Sequence, residues 1–292
     1  MKLIIAGFGL MGSSIARAAR RAFGDAAIIY AVDPNDAVRA KAQELDLCTA
    51  AFADISDAPK DCDWIILAAP VSVNLSLIDT AITHAGEQTR ITDLGSTKAD
   101  IVRALETNFA EFDRFIPSHP MAGRELSGPA HGQADLFDNK RVILTPPTTA
   151  DAAHISAATA LFEQLGGHII IMNDANEHDR LMGYASHLPH LLAFAFVNLA
   201  ARGNNGARDY QDLTGAGYRD FTRIAASDPV MWQDIFIGNK DNILEQLDAF
   251  SAIADMYREA ITTGDRAKLE ALIGEAGDER KRLREIIKGQ DT

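Results

Sequence analysis

The sequence predicts a Rossmann-type α/β domain, built on a doubly wound parallel sheet, followed by an all-α helical domain. Three observations lead to this fold class. Short apolar runs alternate with helical patterns through the first 172 residues, a glycine-rich turn follows the first apolar run, and long helical periodicity replaces β-branched runs from Ala175 onward. We therefore divide the chain into an α/β domain over 1–172 and a helical domain over 173–292.

The α/β pattern can be followed element by element. Strands are predicted at 3–6, 28–32, 64–68 and 90–93, and they alternate with helices at 11–21, 36–45, 74–81 and 98–107. Further short β candidates lie at 115–117, 142–145 and 168–172. Repeated strand and helix units predict a largely parallel sheet that is covered on both faces.

The helical half is predicted as three long helices at 181–201, 229–260 and 266–288, separated by glycine-containing breaks. The run 188–197 is hydrophobic nearly all round, so we expect it to be deeply buried. We expect a homodimer formed through the helical domain to cover it.

The composition favours a globular enzyme over a nucleic-acid-binding or membrane protein. Hydrophobic residues make up 47% and charged residues 24% of the 292 residues. The formal net charge of −13 opposes binding to nucleic acid, and no apolar run is long enough to predict a membrane partner. The only cysteines, Cys48 and Cys62, show no disulfide or metal pattern, which predicts a cytoplasmic location.

The segment from Gly7 to Gly12 predicts a dinucleotide-binding loop. Gly7 permits a tight turn, Gly9 leaves room for a pyrophosphate, and Gly12 lets helix and strand pack closely. The N–H groups at the start of the helix then face the phosphates. We also assign Leu10, Met11 and Pro70 to this cofactor site.

Asp33 points to the kind of dinucleotide. It ends the second predicted strand, 21 residues after Gly12, where a carboxylate can accept hydrogen bonds from the ribose hydroxyls of NAD and repel the 2′-phosphate of NADP. Taken alone, Asp33 reads equally well as a solvated helix cap. Arg39 is expected to point outward from the next helix. The predicted cofactor is therefore NAD, with NADP less favoured.

Three further segments are not explained by packing alone. They are TDLGSTK at 92–98, PSHPMAGRE at 117–125, and GAGYRDFTRIA at 215–225 with DPVMW at 228–232. Together they resemble the prephenate and arogenate dehydrogenase family of tyrosine biosynthesis. The stretches SHPMAG and TRIAASDPVMW are more specific than the glycine pattern, and the resemblance runs from the glycine loop to the helix containing Trp232.

The resemblance implies a role for four of these residues. His119 is the base that takes the hydroxyl proton while a hydride leaves for the nicotinamide, and histidine has a pKa suited to this task. Ser96 hydrogen-bonds the reacting hydroxyl or holds the imidazole, and Glu125 shapes the substrate pocket. Arg223 grips a substrate carboxylate, for which a guanidinium is well suited.

Other residues have two readings. By the resemblance His187 and His190 face the active site, but they can equally belong to a packed helix interior. As a metal pair they lack an evident third ligand, so no metal is expected. Trp232 is expected in the pocket wall or core, and Arg219 in an exposed or intersubunit ion pair with Asp220.

Two alternative functions fit the glycine loop. A β-hydroxyacid dehydrogenase needs a catalytic lysine on a helix of the second domain, and 181–201 contains none. An NAD-sensing module without catalysis needs neither His119 nor Ser96 nor Arg223. The small-molecule substrate is therefore expected to be prephenate, arogenate or both, a choice that the sequence leaves open.

Overall fold

The computed structural model describes residues 1–124, 126–203 and 214–290. Its N-terminal part alternates strands and helices: β1 (Lys2–Ala6), α1 (Leu10–Phe23), β2 (Ile28–Val32), α2 (Asp36–Glu44), β3 (Ala50–Phe52), β4 (Trp64–Leu67), α3 (Val71–His84), β5 (Arg90–Asp93) and α4 (Ala99–Asn108). These strands form one parallel sheet in the order β3-β2-β1-β4-β5. The predicted parallel sheet is thus confirmed.

Both faces of this sheet are buried. Leu3 and Ile5 of β1 belong to one apolar cluster, and Ile4 and Ala6 to another. Alternate side chains of a strand point to opposite faces, so a strand that is apolar at every position must be covered on both sides. The chain winds outward from β1 in one direction to β3 and in the other to β5. Such a reversal leaves a crevice at the carboxyl ends of the central strands.

A second sheet of three strands follows. It contains β6 (Ser118–Pro120), β7 (Arg141–Leu144) and β8 (His168–Ile171), with α5 (Ala152–Gln164) between the last two strands. β6 runs antiparallel to β7 and β8 parallel to it. Phe115 forms a single parallel bridge with Ile91 of β5, which joins the end of the first sheet to the segment leading into β6.

The remaining elements are helical. They are α6 (Ala175–Met182), α7 (Leu188–Gly203), α8 (Ala216–Thr222), α9 (Pro229–Gly238), α10 (Lys240–Thr263) and α11 (Arg266–Gln290). A turn of π-helix at Gly183–His187 joins α6 to α7, and a 3₁₀ turn at Arg223–Ala226 follows α8. The predicted helical second half is confirmed.

Several predicted boundaries are wrong. β3 and α5 were not predicted, and the β candidate at 115–117 contributes only the Phe115 bridge, since the strand begins at Ser118. The helix predicted at 229–260 breaks at Asn239, whose buried side chain donates a hydrogen bond to the carbonyl oxygen of Asp179. Within this single chain only Leu188 and Ala193 of the run 188–197 are buried, so its deep burial depends on the expected homodimer and stays a prediction.

By density of contacts the chain forms two compact units, Met1–Asn242 and Ile243–Thr292. The division at residue 173 follows fold class and not compactness, and it stays a prediction. Cys48 and Cys62 are buried free thiols. Within the described ranges, no helix combines the length and the apolar content that crossing a bilayer requires.

Candidate active site

A cavity of about 530 Å³ opens at the carboxyl ends of the central strands. The loops after β1, β4 and β5 all reach it, through Gly9–Met11, Ala68–Val71 and Leu94–Ser96. His119 of β6 and several residues of the helical part complete the wall. Binding at the carboxyl edge of a doubly wound sheet is the general rule for this architecture. The topology therefore brings the predicted cofactor loop and the predicted base to one crevice.

The glycine loop is closely packed at two positions and open at the third. Gly7 has a φ of +89°, and a Cβ at Gly12 would lie 2.2 Å from the carbonyl oxygen of Gly7. A Cβ at Gly9, in contrast, would meet no described atom within 4 Å. Gly9 is also the residue immediately before α1, where the free N–H groups of a helix attract a phosphate. The loop thus offers an uncovered cradle that a phosphate group can enter.

This difference between the glycines gives the first testable prediction. Gly9→Ala should leave the thermal unfolding midpoint unchanged but raise the Kd for NAD about tenfold or more, since the new methyl group occupies the phosphate cradle. Gly12→Ala is the matched control, and it should unfold at a clearly lower temperature because its methyl group collides with backbone. Isothermal titration and thermal denaturation measure both effects. Tight NAD binding by Gly9→Ala would contradict the cradle.

Asp33 directly follows β2 and lies beside the loop. Its carboxylate accepts hydrogen bonds from the backbone N–H of Phe8, at 3.0 Å, and of Asn35. The prediction for Arg39 was wrong: its side chain folds back, donates to the carbonyl oxygen of Asp33 at 2.6 Å and pairs with Asp36. Backbone N–H groups therefore hold the carboxylate of Asp33 against the glycine loop, although Asp33 does not line the cavity itself.

His119 lies in β6, opposite Ile143 of β7, and its side chain is only 7% exposed. It lines the cavity, and its Nδ1 forms a hydrogen bond of 3.0 Å with Nε2 of His178 in α6. Burial lowers the pKa of His119 well below the usual histidine value of 6.5, with smaller contributions from the charges of His178, Lys98 and His187. The imidazole is therefore neutral at neutral pH.

A buried ion pair lies behind β6. Lys98 has no exposed surface, and its ammonium binds the carboxylate of Asp93 and the carbonyl oxygen of Ser118, the latter at 2.8 Å. Burial lowers the pKa of Lys98, while the charges of Asp93 and Asp179 oppose that shift. Asp93 also accepts hydrogen bonds from the backbone N–H groups of Gly95 and Ser118. The pair therefore ties the loop after β5 to the strand that carries His119.

Ser96 and Arg223 line the same cavity as His119. Ser96 is half-buried, and its hydroxyl makes no hydrogen bond to any residue that the structure describes. Arg223 is exposed and begins the turn after α8. A hydroxyl group and a guanidinium group therefore belong to the wall of the same cavity as the imidazole. Glu125, the fourth residue predicted from the resemblance, lies outside the described residues.

The three residues with two readings all line the cavity. Trp232 of α9 is 5% exposed, and His190 stacks on its ring with the centroids 3.8 Å apart. His187 is buried, its Nδ1 lies 2.9 Å from Nδ2 of Asn239, and burial lowers its pKa to about 4. These residues form an aromatic wall, while Leu10, Met11 and Pro70 line the cofactor side.

Sequence reasoning missed the polar residues behind this wall. His178, Asp179 and Asn239 are all buried and hydrogen-bonded to one another or to residues of the cavity. Nothing in the polar segment ANEHDRLM of α6 distinguishes His178 and Asp179 from a solvated helix face. They become buried through tertiary packing, which includes the contact of α6 with α4 and the hydrogen bond of His178 to His119.

The fold and this crevice define a dehydrogenase with a dinucleotide-binding domain, and comparison with known proteins identifies the family. Residues 15–171 match the family described as prephenate dehydrogenase, nucleotide-binding domain, and residues 174–275 match the one described as prephenate dehydrogenase, dimerization domain. The cyclohexadienyl dehydrogenase of Zymomonas mobilis is 35% identical over 266 residues, covering 90% of this chain and 89% of that protein. The chain belongs to the prephenate dehydrogenase family of oxidoreductases.

Solved structures agree with this assignment. Prephenate dehydrogenase from Aquifex aeolicus, in complex with hydroxyphenyl propionate and NAD⁺, superposes with a TM-score of 0.87 at 32% identity and covers 98% of both chains. Arogenate dehydrogenase from Synechocystis superposes with a TM-score of 0.78 at 25% identity, covering 97% of this chain and 100% of that one. The resemblance inferred from the motifs is therefore confirmed.

Proposed function

We propose that this enzyme catalyses the NAD-dependent oxidative decarboxylation of prephenate, arogenate or both, in tyrosine biosynthesis, with His119 as the base and Arg223 as the carboxylate-binding residue. The observation that carries the proposal is that one cavity is lined by the glycine loop, a buried neutral histidine, an arginine, and a serine whose hydroxyl has no hydrogen bond to a described residue. The relatives named above act on cyclohexadienyl substrates and include a structure with NAD⁺.

The loop residues fit NAD as cofactor. The open position at Gly9 and the start of α1 suit the pyrophosphate, and Asp33 suits the adenosine ribose. When bound, NAD⁺ supplies the hydride acceptor. The side chains of Leu10, Met11 and Pro70 line the same cavity as His119, where they help to exclude water from the reacting centre.

His119 removes the proton of the ring hydroxyl. Its neutral imidazole is ready to accept a proton, because burial disfavours the imidazolium. Ser96, whose hydroxyl is half-buried and unbonded among described residues, orients the same substrate oxygen. A base that takes this proton as the carbinol loses its hydride promotes formation of the ring ketone.

Loss of the ring carboxylate completes the reaction. The electrons of the broken C–C bond flow into the ring and carbon dioxide departs, so the ring becomes aromatic. The former hydroxyl oxygen then recovers the proton held by His119. The balance is one hydride to NAD⁺ and one carbon dioxide, with no net proton, and aromatisation makes the sequence effectively irreversible.

Arg223 gives the second testable prediction. Arg223→Ala should raise KM for the substrate about tenfold or more with a much smaller change in kcat, because a charge-assisted contact to a carboxylate is lost. Arg223→Lys should recover only part of the affinity, since an ammonium lacks the planar fork. Arg103→Ala is the control, because it removes an equally charged and also exposed side chain of α4 that does not line the cavity. An unchanged KM in Arg223→Ala would remove Arg223 from the site.

The homodimer is part of the same proposal. Large apolar side chains are exposed on the first unit, with Leu199 of α7 at 68% and Ile237 of α9 at 73%, and on the second, with Ile261 and Ile273 above 60%. Surfaces of this kind mark protein interfaces. The family's second domain is described as a dimerization domain. Light scattering at micromolar concentration should give twice the mass of 31.6 kDa, and a monomer would contradict the proposal.

The experiment that tests the proposed activity is a paired measurement of kcat/KM. Prephenate and arogenate are each supplied with NAD and with NADP, and formation of the reduced cofactor is followed. We expect turnover with at least one of the two acids and a preference for NAD. No turnover with either acid would overturn the proposal. The ratio of the two values gives the substrate that the enzyme prefers.

A further inference from the structure

Two buried residues that do not line the cavity, His178 and Asp179, are connected by hydrogen bonds to His119, the proposed catalytic base. Nδ1 of His119 lies 3.0 Å from Nε2 of His178, and Nδ1 of His178 lies 2.7 Å from Oδ1 of Asp179. The three side chains are at most 7% exposed. His119 lines the cavity, whereas His178 and Asp179 lie behind it. A continuous hydrogen-bonded chain therefore runs from the cavity wall into the protein.

The far end of this chain is fixed by backbone. Oδ1 of Asp179 accepts a hydrogen bond from the N–H of Lys98 at 2.8 Å, and Oδ2 accepts one from the N–H of Ala99 at 2.9 Å. These groups lie at the start of α4, where the helix dipole favours a negative charge. The carboxylate has no proton to donate, so it acts as an acceptor toward His178 as well.

The direction of each hydrogen bond follows from that anchor. Because Asp179 accepts, Nδ1 of His178 must carry the proton, which leaves Nε2 of neutral His178 as an acceptor. His119 then donates from Nδ1. Its other nitrogen, Nε2, is left without a proton, as the base of a dehydrogenase must be. The wrong tautomer would place a proton where the substrate proton has to go.

We infer that His178 and Asp179 form a positioning relay that holds His119 in the tautomer able to accept the substrate proton and stabilises the imidazolium that results. The inference rests on the proposed role of His119 as base. As the imidazolium forms, Nδ1–H of His119 donates more strongly to His178, and the carboxylate of Asp179 balances the charge through the second imidazole. Neither residue touches the substrate.

The relay answers an electrostatic difficulty of the site. The titratable groups that act on the pKa of His119 are His178, Lys98 and His187, and each of them lowers it, as burial does. Lys98 is itself balanced by Asp93, and His187 is bonded to Asn239. Asp179 is the anion that reaches His119 through a hydrogen-bonded chain. Without it, a neutral base would be available but would resist taking the proton.

The test measures kcat, KM and their pH profiles in His178→Phe, Asp179→Asn and the double variant. Each single variant should lose about 30-fold or more in kcat, as loss of the group that orients a catalytic histidine does, with KM and the Kd for NAD changed by less than about threefold. The double variant should lose no more than the worse single variant, since both changes interrupt one chain.

The pH profile separates the relay from a merely structural role. The base must be neutral, so activity rises with pH through the pKa of His119. Removing the carboxylate removes a stabilising influence on the imidazolium, which lowers that pKa, and the acidic limb should move to lower pH in Asp179→Asn. His178→Gln, whose amide oxygen can still accept from His119, should recover part of kcat without restoring the limb.

Two controls and the contrary outcomes complete the experiment. His84→Phe replaces a buried histidine that is not part of the hydrogen-bonded relay, and Asp151→Asn changes the carboxylate that caps α5. Both variants should keep wild-type kcat. If His119→Asn is inactive while His178→Gln and Asp179→Asn keep full kcat and an unmoved limb, the relay is wrong and the proposed function stands. Additive losses in the double variant, or losses matched by weaker NAD binding, would also overturn it. Absence of turnover in the wild-type enzyme would overturn the function, and the relay with it.

Discussion

His119→Asn is expected to lower kcat by about 100-fold or more while leaving the Kd for NAD nearly unchanged. The asparagine amide fits the space of the imidazole but cannot take a proton, so the chemical step loses its base. The glycine loop follows β1 and Asp33 follows β2, and among described residues neither has a hydrogen bond to His119. Cofactor binding should therefore persist. Steady-state kinetics and titration with NAD measure the two effects on the same preparation.

The control for this variant is His168→Asn. His168 is an exposed histidine at the start of β8, so the same substitution there should leave kcat and NAD binding at wild-type values. If His119→Asn instead weakens NAD binding as much as it lowers kcat, the histidine has a structural role. A kcat within a few-fold of wild type would show that another group accepts the proton.

Lys98→Met is expected to lower the free energy of unfolding by about 3–5 kcal/mol, since breaking a buried ion pair leaves an uncompensated charge. Lys98 has no exposed surface, and its partner Asp93 is almost fully buried. Methionine fills a similar volume but leaves the carboxylate of Asp93 and the carbonyl oxygen of Ser118 without their cation. Because Ser118 precedes His119, activity should fall as well.

Urea denaturation followed by circular dichroism gives the free energy of unfolding of Lys98→Met. The control is Lys2→Met, which breaks an exposed pair with Asp61 and should lower the free energy of unfolding far less, because solvent screens an exposed ion pair. Equal decreases in the free energy of unfolding of the two variants would mean that the buried pair of Lys98 and Asp93 stabilises the fold no more than the exposed pair does. A stable Lys98→Met variant with full kcat would show that the ion pair is not needed to hold β6 in place.

Local signals made the cofactor half of the site predictable. The apolar run of β1, the glycines and Asp33 lie within 33 residues. The role of each in binding a dinucleotide follows from steric or electrostatic effects between residues that are close in sequence. His119 was identified differently, through the resemblance of its motif to a known family. A histidine between two prolines does not by itself indicate a catalytic role. The structure places the glycine loop, at the carboxyl end of β1, and His119, in β6 of the second sheet, in the wall of one cavity.

The unpredicted features depend on contacts between distant parts of the chain. His178 lies 59 residues from His119, and α6 packs against α4, which is also distant from it in the sequence. The break at Asn239 likewise follows from its bonds to the carbonyl oxygen of Asp179 and to His187. The helix α5 is rich in alanine and has little contrast between its faces, so its periodicity is weak.

The stoichiometry of the reaction tests the proposed activity most directly. Purified enzyme is given NAD and a limiting amount of prephenate, or in parallel arogenate, and both NADH and carbon dioxide are quantified at completion. We expect one NADH and one carbon dioxide for each molecule of substrate, with an aromatic product. NADH without carbon dioxide, or no NADH from either acid, would contradict it.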